Sequence, residues 1–298
     1  MSKKLVIVLG PTGVGKTKLT LQLAERLGTE IISCDSRQMF KEMSIGTARP
    51  TEEQTTRVKH HFVGNLSIHD YYSCGRFELE VLALLGKLFK TYDTVIMTGG
   101  SMLYIDAVCK GIDDRPKVDQ ALRDSLWARY DKDGIEGIRE ELVRLDPDYA
   151  ATVDPHNYKR IIHALEICLS TGQPYSALRK ETQKKRDFEI VKIGLNLPRE
   201  ELYDRINRRV DQMMADGLLE EAKKLYPLKE LNSLNTVGYK ELFNYFDGTW
   251  ELDYAVNMIK QDSRRYAKKQ LTWFRRDEEI HWIAPNEIEE AVRISLGE

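Results

Sequence analysis

Cysteine is scarce and scattered in this chain. Cys34, Cys74, Cys109 and Cys168 show no C-x-x-C spacing and no neighbouring histidine pattern, which excludes a disulfide framework or a cysteine-based zinc site as the organising element. They read as reduced thiols of a cytosolic protein. No run approaches the ~20 consecutive apolar residues of a membrane span, and Ser2-Lys3-Lys4 lead directly into a short apolar stretch. A soluble cytoplasmic protein without membrane attachment is therefore expected. An excess of one charge sign is missing too: 45 Lys+Arg against 47 Asp+Glu give a net charge of −2. Whole-chain charge thus gives no sign of a nucleic-acid partner, and any basic footprint must be local. Internal repeats and low-complexity tracts are absent. With 42% apolar residues over 298 positions, the chain can bury one large core, or a core with a smaller inserted domain.

What is present reads as alternating strands and helices. Residues 5–9 form an apolar β-rich run, followed by a glycine-rich turn and a helix carrying Leu19, Leu23 and Leu27 at helical spacing. Further short apolar runs occur at residues 31–34 and 94–97, with helical periodicity over 78–90 between them, the pattern of a doubly wound parallel α/β sheet. From Pro116 to Gln183 strand signals vanish and residues 118–130, 135–145 and 158–169 carry helical periodicity. This predicts a helical insertion domain over 116–183 within a core formed by 1–115 and 184–298. Residues 188–195 return as a strand, and helices are expected from Arg199 to about Arg276.

Gly10-Pro11-Thr12-Gly13-Val14-Gly15-Lys16-Thr17 fits G-x-x-x-x-G-K-[ST] between an apolar strand and an amphipathic helix, the context that motif needs. Its glycines let backbone N–H groups turn onto a phosphate, the helix N-terminus adds positive potential, Lys16 neutralises charge, and the Thr17 hydroxyl can ligate Mg²⁺. The motif is an ATP- and nucleotide-binding signature, but it recognises a polyphosphate rather than a nucleoside. A hydrolysing ATPase would carry an acid at the end of a nearby strand. Residues 94–97 run instead into Thr98-Gly99-Gly100. The acid that does end a strand is Asp35, after residues 31–34, a position that faces the ligand crevice of an open α/β sheet. A helix cap or turn is its alternative role.

Downstream of the loop come, in order, Asp35-Ser36-Arg37-Gln38, Ile45-Gly46-Thr47-Ala48, His60-His61 and Gly99-Gly100-Ser101-Met102-Leu103-Tyr104. Asp146-Pro147, Arg160 with Ala164-Leu165-Glu166, Thr171-Gly172, Val237-Gly238-Tyr239-Lys240 and Ala267-Lys268-Lys269-Gln270-Leu271-Thr272-Trp273-Phe274 follow. In this set and order the chain resembles the tRNA dimethylallyltransferases (tRNA isopentenyltransferases) over nearly its whole length. The resemblance implies a P-loop nucleotide-kinase-like core whose loop holds the diphosphate of dimethylallyl diphosphate. The acceptor is an adenosine flipped out of the tRNA anticodon arm. Three positions depart from the family's usual residues: Ser101 stands for Thr, His163 for Arg, and His156-Asn157 for an Asn-Asp pair.

By the same resemblance Asp35 is the general base, and Lys16, Ser101 and one of Arg205 and Arg209, which share a helical face, complete the catalytic set, with Mg²⁺ at Thr17. The implied tRNA contacts are Asp35, Ser36, Arg37, Gln38, Ser101, Gly238, Tyr239 and Lys240, with Arg123, Lys159, Arg160, Ile161, Ile162 and His163 in the insertion. Ser36 and Gln38 suit the reading of a base edge. From Lys260 to Arg276 seven basic residues face one acid, a local +6, with Arg264, Lys268 and Arg275 on one helical face and Tyr266 and Trp273 interleaved. A monomer is expected. Alternatives are a small-molecule kinase, a prenyltransferase for free adenine nucleotides, and a non-catalytic tRNA binder.

Overall fold

The computed structural model describes residues 2–112, 119–179 and 184–298. The chain forms two compact units, Met1–Cys109 with Lys185–Glu298, and Lys110–Lys184. The expected insertion limits, Pro116 and Gln183, lie outside the described residues.

The first unit begins with β1 (Lys4–Leu9), α1 (Lys16–Leu27), β2 (Ile31–Ser33), α2 (Glu52–Arg57), β3 (His60–His61), α3 (Cys74–Leu88), β4 (Thr94–Gly99) and α4 (Met102–Lys110). The second unit holds α5 (Gln120–Asp133), α6 (Ile135–Leu145), α7 (Pro147–Ala150), α8 (Tyr158–Thr171) and α9 (Tyr175–Leu178). The first then resumes with β5 (Glu189–Leu195), α10 (Arg199–Ala215), α11 (Leu218–Leu225), α12 (Tyr239–Phe246), α13 (Leu252–Phe274), β6 (Ile280–Ile283) and α14 (Ile288–Leu296).

Among the described residues the six strands make one parallel sheet in the order β3-β2-β4-β1-β5-β6, with Leu9 of β1 aligned to Gly99 of β4 and Gly194 of β5. Side chains alternate across β1. Leu5, Ile7 and Leu9 pack in a core that includes Phe77, Val81 and Leu85 of α3 and Phe274 of α13. Val6 and Val8 belong to a second core with Leu19, Leu23 and Ala24 of α1 and Leu202 and Ile206 of α10. Helices therefore cover both faces, which is why β1 reads as an unbroken apolar run rather than an alternating one.

Two strands went unforeseen. Asp277, Glu278 and Glu279 precede β6, and only its pairing with β5, from Lys192↔Ile280 to Leu195↔Ile283, makes it a strand. The same acids explain the charged residue inside β5. The buried Lys192 ammonium lies 2.8 Å from both Asp277 Oδ2 and Glu279 Oε2, and these contacts outweigh burial and raise its pKa. β3 is a two-residue edge, where His61 Nε2 meets Glu30 Oε2 at 2.6 Å.

The second unit has its own core of Leu126, Ile138, Leu142, Ile161, Ile162 and Leu165. Asp146, fully buried, accepts from the Tyr149 amide at 3.0 Å, capping α7 behind Pro147 at its first position, and also from Ser176 N and Oγ at 2.7 Å each. Lys184 N donates to Lys110 O at 2.8 Å, so this unit enters and leaves through one neck. In the first unit Arg186 pairs with buried Glu78 at 2.8 Å and donates to the carbonyls of Ala107 and Val108, satisfying the end of α4.

Candidate active site

The phosphate loop follows β1, Asp35 follows β2, and Gly99-Gly100-Ser101 closes β4, so these three motifs meet at the C-terminal edge of the sheet. After β1 the chain turns through Gly10 into α1, whose N-cap is Gly15 at φ 108°. A Cβ there would be strained and would also come 3.0 Å from the Arg205 guanidinium. No side chain caps α1 and its first turn holds no acid. Among the described residues the amides of Gly13, Gly15, Lys16 and Thr17 have no hydrogen-bond acceptor. Orphan donors at the positive end of a helix constitute an anion site.

Among the described residues Lys16, Arg205 and Arg209 make no ion pair, and Asp35 is the acid whose charge reaches Lys16 and Arg209. Lys16 Nζ donates to the carbonyls of Gly10 and Pro11 at 2.9 Å each, and Arg209 donates to Thr12 Oγ1 at 3.3 Å. Burial first, and then the charge of Arg209, pull the Lys16 ammonium down to about 8, with Asp35 the main opposing influence. Arg209 is also lowered by burial. A diphosphate would supply the missing negative charge.

Asp35 combines the two roles open to it. Its Oδ1 accepts from Arg37 N at 2.9 Å and Gln38 N at 3.3 Å, closing a turn, while Oδ2 has no hydrogen bond among the described residues. Ser101 Oγ, at the start of α4, accepts from Ser36 N at 2.9 Å and lies 3.3 Å from Ser36 Oγ, tying the β4 loop to the β2 loop. Beside them a cavity of about 380 Å³ has a polar wall containing Asp35, Ser36, Ser101 and Lys240, and an apolar wall of Ile206, Val210 and Met213 from α10 with Ile259 from α13. Thr12 of the phosphate loop and Arg209 line it as well, so the cavity reaches from one end of that loop to Asp35.

The IPP transferase family pattern matches residues 38–277. The chain belongs to that family. It is 61% identical over 285 residues to tRNA dimethylallyltransferase 2 of Parabacteroides distasonis, covering 96% of this chain and 95% of the relative. The crystal structure of the full-length tRNA isopentenylpyrophosphate transferase from Bacillus halodurans superposes with a TM-score of 0.72 at 37% identity, covering 99% of this chain and 96% of that one. A eukaryotic dimethylallyltransferase acting on tRNA gives a TM-score of 0.81 at 27% identity, covering 97% and 75%.

Within this IPP transferase several expected contact residues have other work. Gln38 Nε2 donates to the carbonyls of Thr47 and Ala48 at 3.2 and 3.0 Å, and its Oε1 accepts from Ser33 Oγ at 3.3 Å, so its amide is committed to the 45–48 loop. Arg37 donates to Ser233 O at 2.9 Å. Tyr239 is fully buried; its ring fills the space a Cβ on Gly46 would need, and its hydroxyl donates to Glu221 at 2.6 Å. Ile161 and Ile162 are core residues at 0% and 2% exposure, so their side chains are unavailable to a partner. Arg123 forms a bidentate pair with buried Glu166 at 2.7 and 3.2 Å, joined by His163 at 3.3 Å. Lys159 and Arg160 are exposed on α8.

On α13 the basic run divides. Lys260 pairs with Asp211 and Arg265 with Asp262, while the half-buried Arg264 bonds Asn207 and lies over the Tyr203 ring. Lys268, Lys269 and Arg275 are exposed, with no acidic partner among the described residues. Trp273 donates from Nε1 to Asp106 at 2.9 Å, whereas Tyr266 lines the cavity. Two residues received no role in the sequence reading, Glu221 and Gln270. Glu221 accepts from the amides of Ser44, Ile45 and Gly46 at 2.9–3.1 Å, which fixes the 45–48 loop. Gln270, buried at 1% exposure, bridges Thr12 and Gly100.

Proposed function

We propose that this chain transfers a dimethylallyl group from dimethylallyl diphosphate to the exocyclic amine of an adenosine adjacent to the anticodon of tRNA, releasing diphosphate. One observation carries the reading: a cavity lined by apolar residues of α10 and α13 reaches from Thr12, in a phosphate loop with unengaged amides, to Asp35, one of whose carboxylate oxygens is unengaged among the described residues. The diphosphate binds the loop amides, Lys16, Arg205 and Arg209. Its prenyl chain lies against Val210, Met213 and Ile259. The target base is unstacked into the polar side, beside Asp35 and Ser36. The amine lone pair attacks the allylic carbon as that carbon's bond to the diphosphate oxygen breaks. The bonding pair leaves with the diphosphate, and the amine proton passes to Asp35 Oδ2.

Mg²⁺ fits as a companion of the donor. Among the described residues no cluster of three acidic, His or Cys groups exists to hold a metal alone, but the exposed Thr17 hydroxyl ends the loop, suiting an ion held mainly by diphosphate oxygens. Bound there, the ion would neutralise charge on the leaving group. Exposed Lys268, Lys269 and Arg275 of α13, and Lys159 and Arg160 of α8, supply phosphate contacts for the RNA. The reading carries with it a monomeric enzyme in the cytoplasm, where tRNA is found. In ATP's favour stands only the shared loop. The deciding experiment incubates the protein with labelled dimethylallyl diphosphate and unmodified tRNA, with labelled ATP in parallel. Label in the RNA is expected, and label transfer or hydrolysis from ATP alone would overturn the assignment.

A further inference from the structure

Val237, Gly238 and Lys240 line the cavity, and an acid stands behind them. Glu241, the next residue along α12, is 1% exposed. Its Oε2 accepts from Gly238 N at 2.7 Å, closing the capping box of the helix. Its Oε1 is buried and has no hydrogen bond among the described residues. A carboxylate oxygen left in that state is costly, and a proton placed on it removes the charge and supplies a donor.

An acceptor for such a donor stands on α13. Asp262 lies within hydrogen-bonding reach of the Glu241 carboxyl, and it also receives Arg265 at 3.1 Å. Burial pushes Glu241 up to about 7. Asp262 is partly buried as well, but its hydrogen bond from Arg265 and the charge of Lys240 outweigh that and hold it low. The pair therefore gives up a proton near neutral pH. Lys240 Nζ reaches both acids, 3.4 Å from Glu241 Oε1 and 3.3 Å from Asp262 Oδ2. On α11, which also packs against α12, Glu221 is taken by the Tyr239 hydroxyl and the amides of Ser44, Ile45 and Gly46. Lys240, Arg265, Asp262 and Glu241 together are thus net positive with the proton in place and neutral without it.

We infer that Glu241 and Asp262 are positioning residues that share one proton beneath Lys240 and so tie the hold of the cavity rim on RNA phosphate to pH. The inference rests on the proposed function, which sets RNA against the polar wall containing Lys240. With the proton bound, Lys240 answers to one carboxylate and has charge left for a phosphate; without it, two carboxylates compete for the same ammonium. Whatever factor the proton contributes to RNA binding, RNA contributes to proton binding.

The test is equilibrium binding of unmodified tRNA, without prenyl donor, by the wild-type chain and Glu241→Gln. The glutamine carboxamide accepts from Gly238 N and donates to Asp262, as the protonated acid does. From about pH 6 to about 8.5 the wild-type affinity should fall about five-fold further than that of the variant, the lower end of ordinary coupling between two ligands. Histidines titrate alike in both chains and cancel in the comparison. Lys240→Met should lose this additional fall. Parallel curves for the wild type and Glu241→Gln, or an additional fall that survives Lys240→Met, would overturn the inference even if tRNA is prenylated normally. Failure of the wild type to bind tRNA at any pH would remove the proposed function and this inference together. Melting of the free proteins reads the proton without RNA. Between the ordinary 4.5 and about 7 the folded wild type holds more protons than the unfolded chain, so its stability should decline as pH rises through that interval, relative to Glu241→Gln. Matching melting profiles would mean that no proton is shared.

Discussion

Asp35→Asn separates the two jobs that Asp35 performs. Asparagine keeps an Oδ1 that accepts from the amides of Arg37 and Gln38, at 2.9 and 3.3 Å in the native turn, but places an NH₂ where Oδ2 takes the proton. The turn should survive and the chemistry should not. Loss of a general base typically slows the chemical step ~10²–10⁴-fold, about 2.7–5.4 kcal/mol at 1.36 kcal/mol per factor of ten. Asp35→Ala provides the contrast: it also surrenders two hydrogen bonds, each worth about 0.5–1.5 kcal/mol net, so its melting temperature should drop where that of Asp35→Asn holds. The assay is single-turnover transfer at saturating donor and tRNA. Near-neutral pH matters, because without Asp35 the Lys16 ammonium loses the principal charge that supports it. A rate within a few-fold of wild type in Asp35→Asn would refute the reasoning and leave Asp35 as a turn residue alone.

Lys16→Ala should weaken donor binding by about 1.5–3 kcal/mol, the range of a charged hydrogen bond, measured by calorimetry with the donor analogue. With the Lys16 ammonium held near 8, donor affinity of the wild-type chain should decline as pH rises through about 8. Its effect on folding has the opposite sign: between about 8 and the ordinary 10.5 the unfolded chain binds more protons, so this group's contribution to stability rises with pH. Replacing Lys268, Lys269 and Arg275 together by Ala should lower the slope of log affinity for tRNA against log salt by about 2, at ~0.7 per phosphate contact on single strands; an unaltered slope would mean a merely solvated face. ATP hydrolysis should be negligible with or without tRNA, since β4 closes on Thr98-Gly99 where an acid would be needed and Thr98 spends its hydroxyl on Thr20 and Val8 at 3.1 Å each. Met213→Ala should let longer allylic diphosphates compete with the five-carbon donor, because Met213 lies one helical turn beyond Arg209 on the apolar wall; unchanged kcat/KM ratios would place the prenyl chain elsewhere.

The phosphate loop, the paired glycines at the end of β4 and Asp35 were legible because each is local: a few adjacent residues whose backbone geometry dictates their type. Residues defined by distant partners were hidden. Gln270 looks like one more polar position in a basic helix until Thr12, 258 residues away, and Gly100 are brought to it. β6 has four residues, and its strand character comes from β5. Motifs also say where a residue is constrained, not why. Tyr239 and Ile161 fall in stretches that match the family, yet one braces Gly46 and the other fills a core. The basic run is likewise legible only as a sum: Lys260, Arg264 and Arg265 have partners from other turns or helices, whereas Lys268, Lys269, Arg275 and Arg276 are exposed.

The order of strands also governs how the protein is made. β1 sits between β4 and β5 in the sheet, but β5 begins 180 residues after β1 ends. At ~5–20 residues per second, roughly 10–40 seconds of synthesis separate the two. Throughout that interval one edge of the most apolar strand in the chain has no neighbour, and the helices of Lys110–Lys184, with their own core, emerge first. The nascent chain thus waits on the ribosome with a half-built sheet and an open β1 edge, and this is the stage at which a holding chaperone, or a slow codon before residue 189, would alter the yield of folded enzyme.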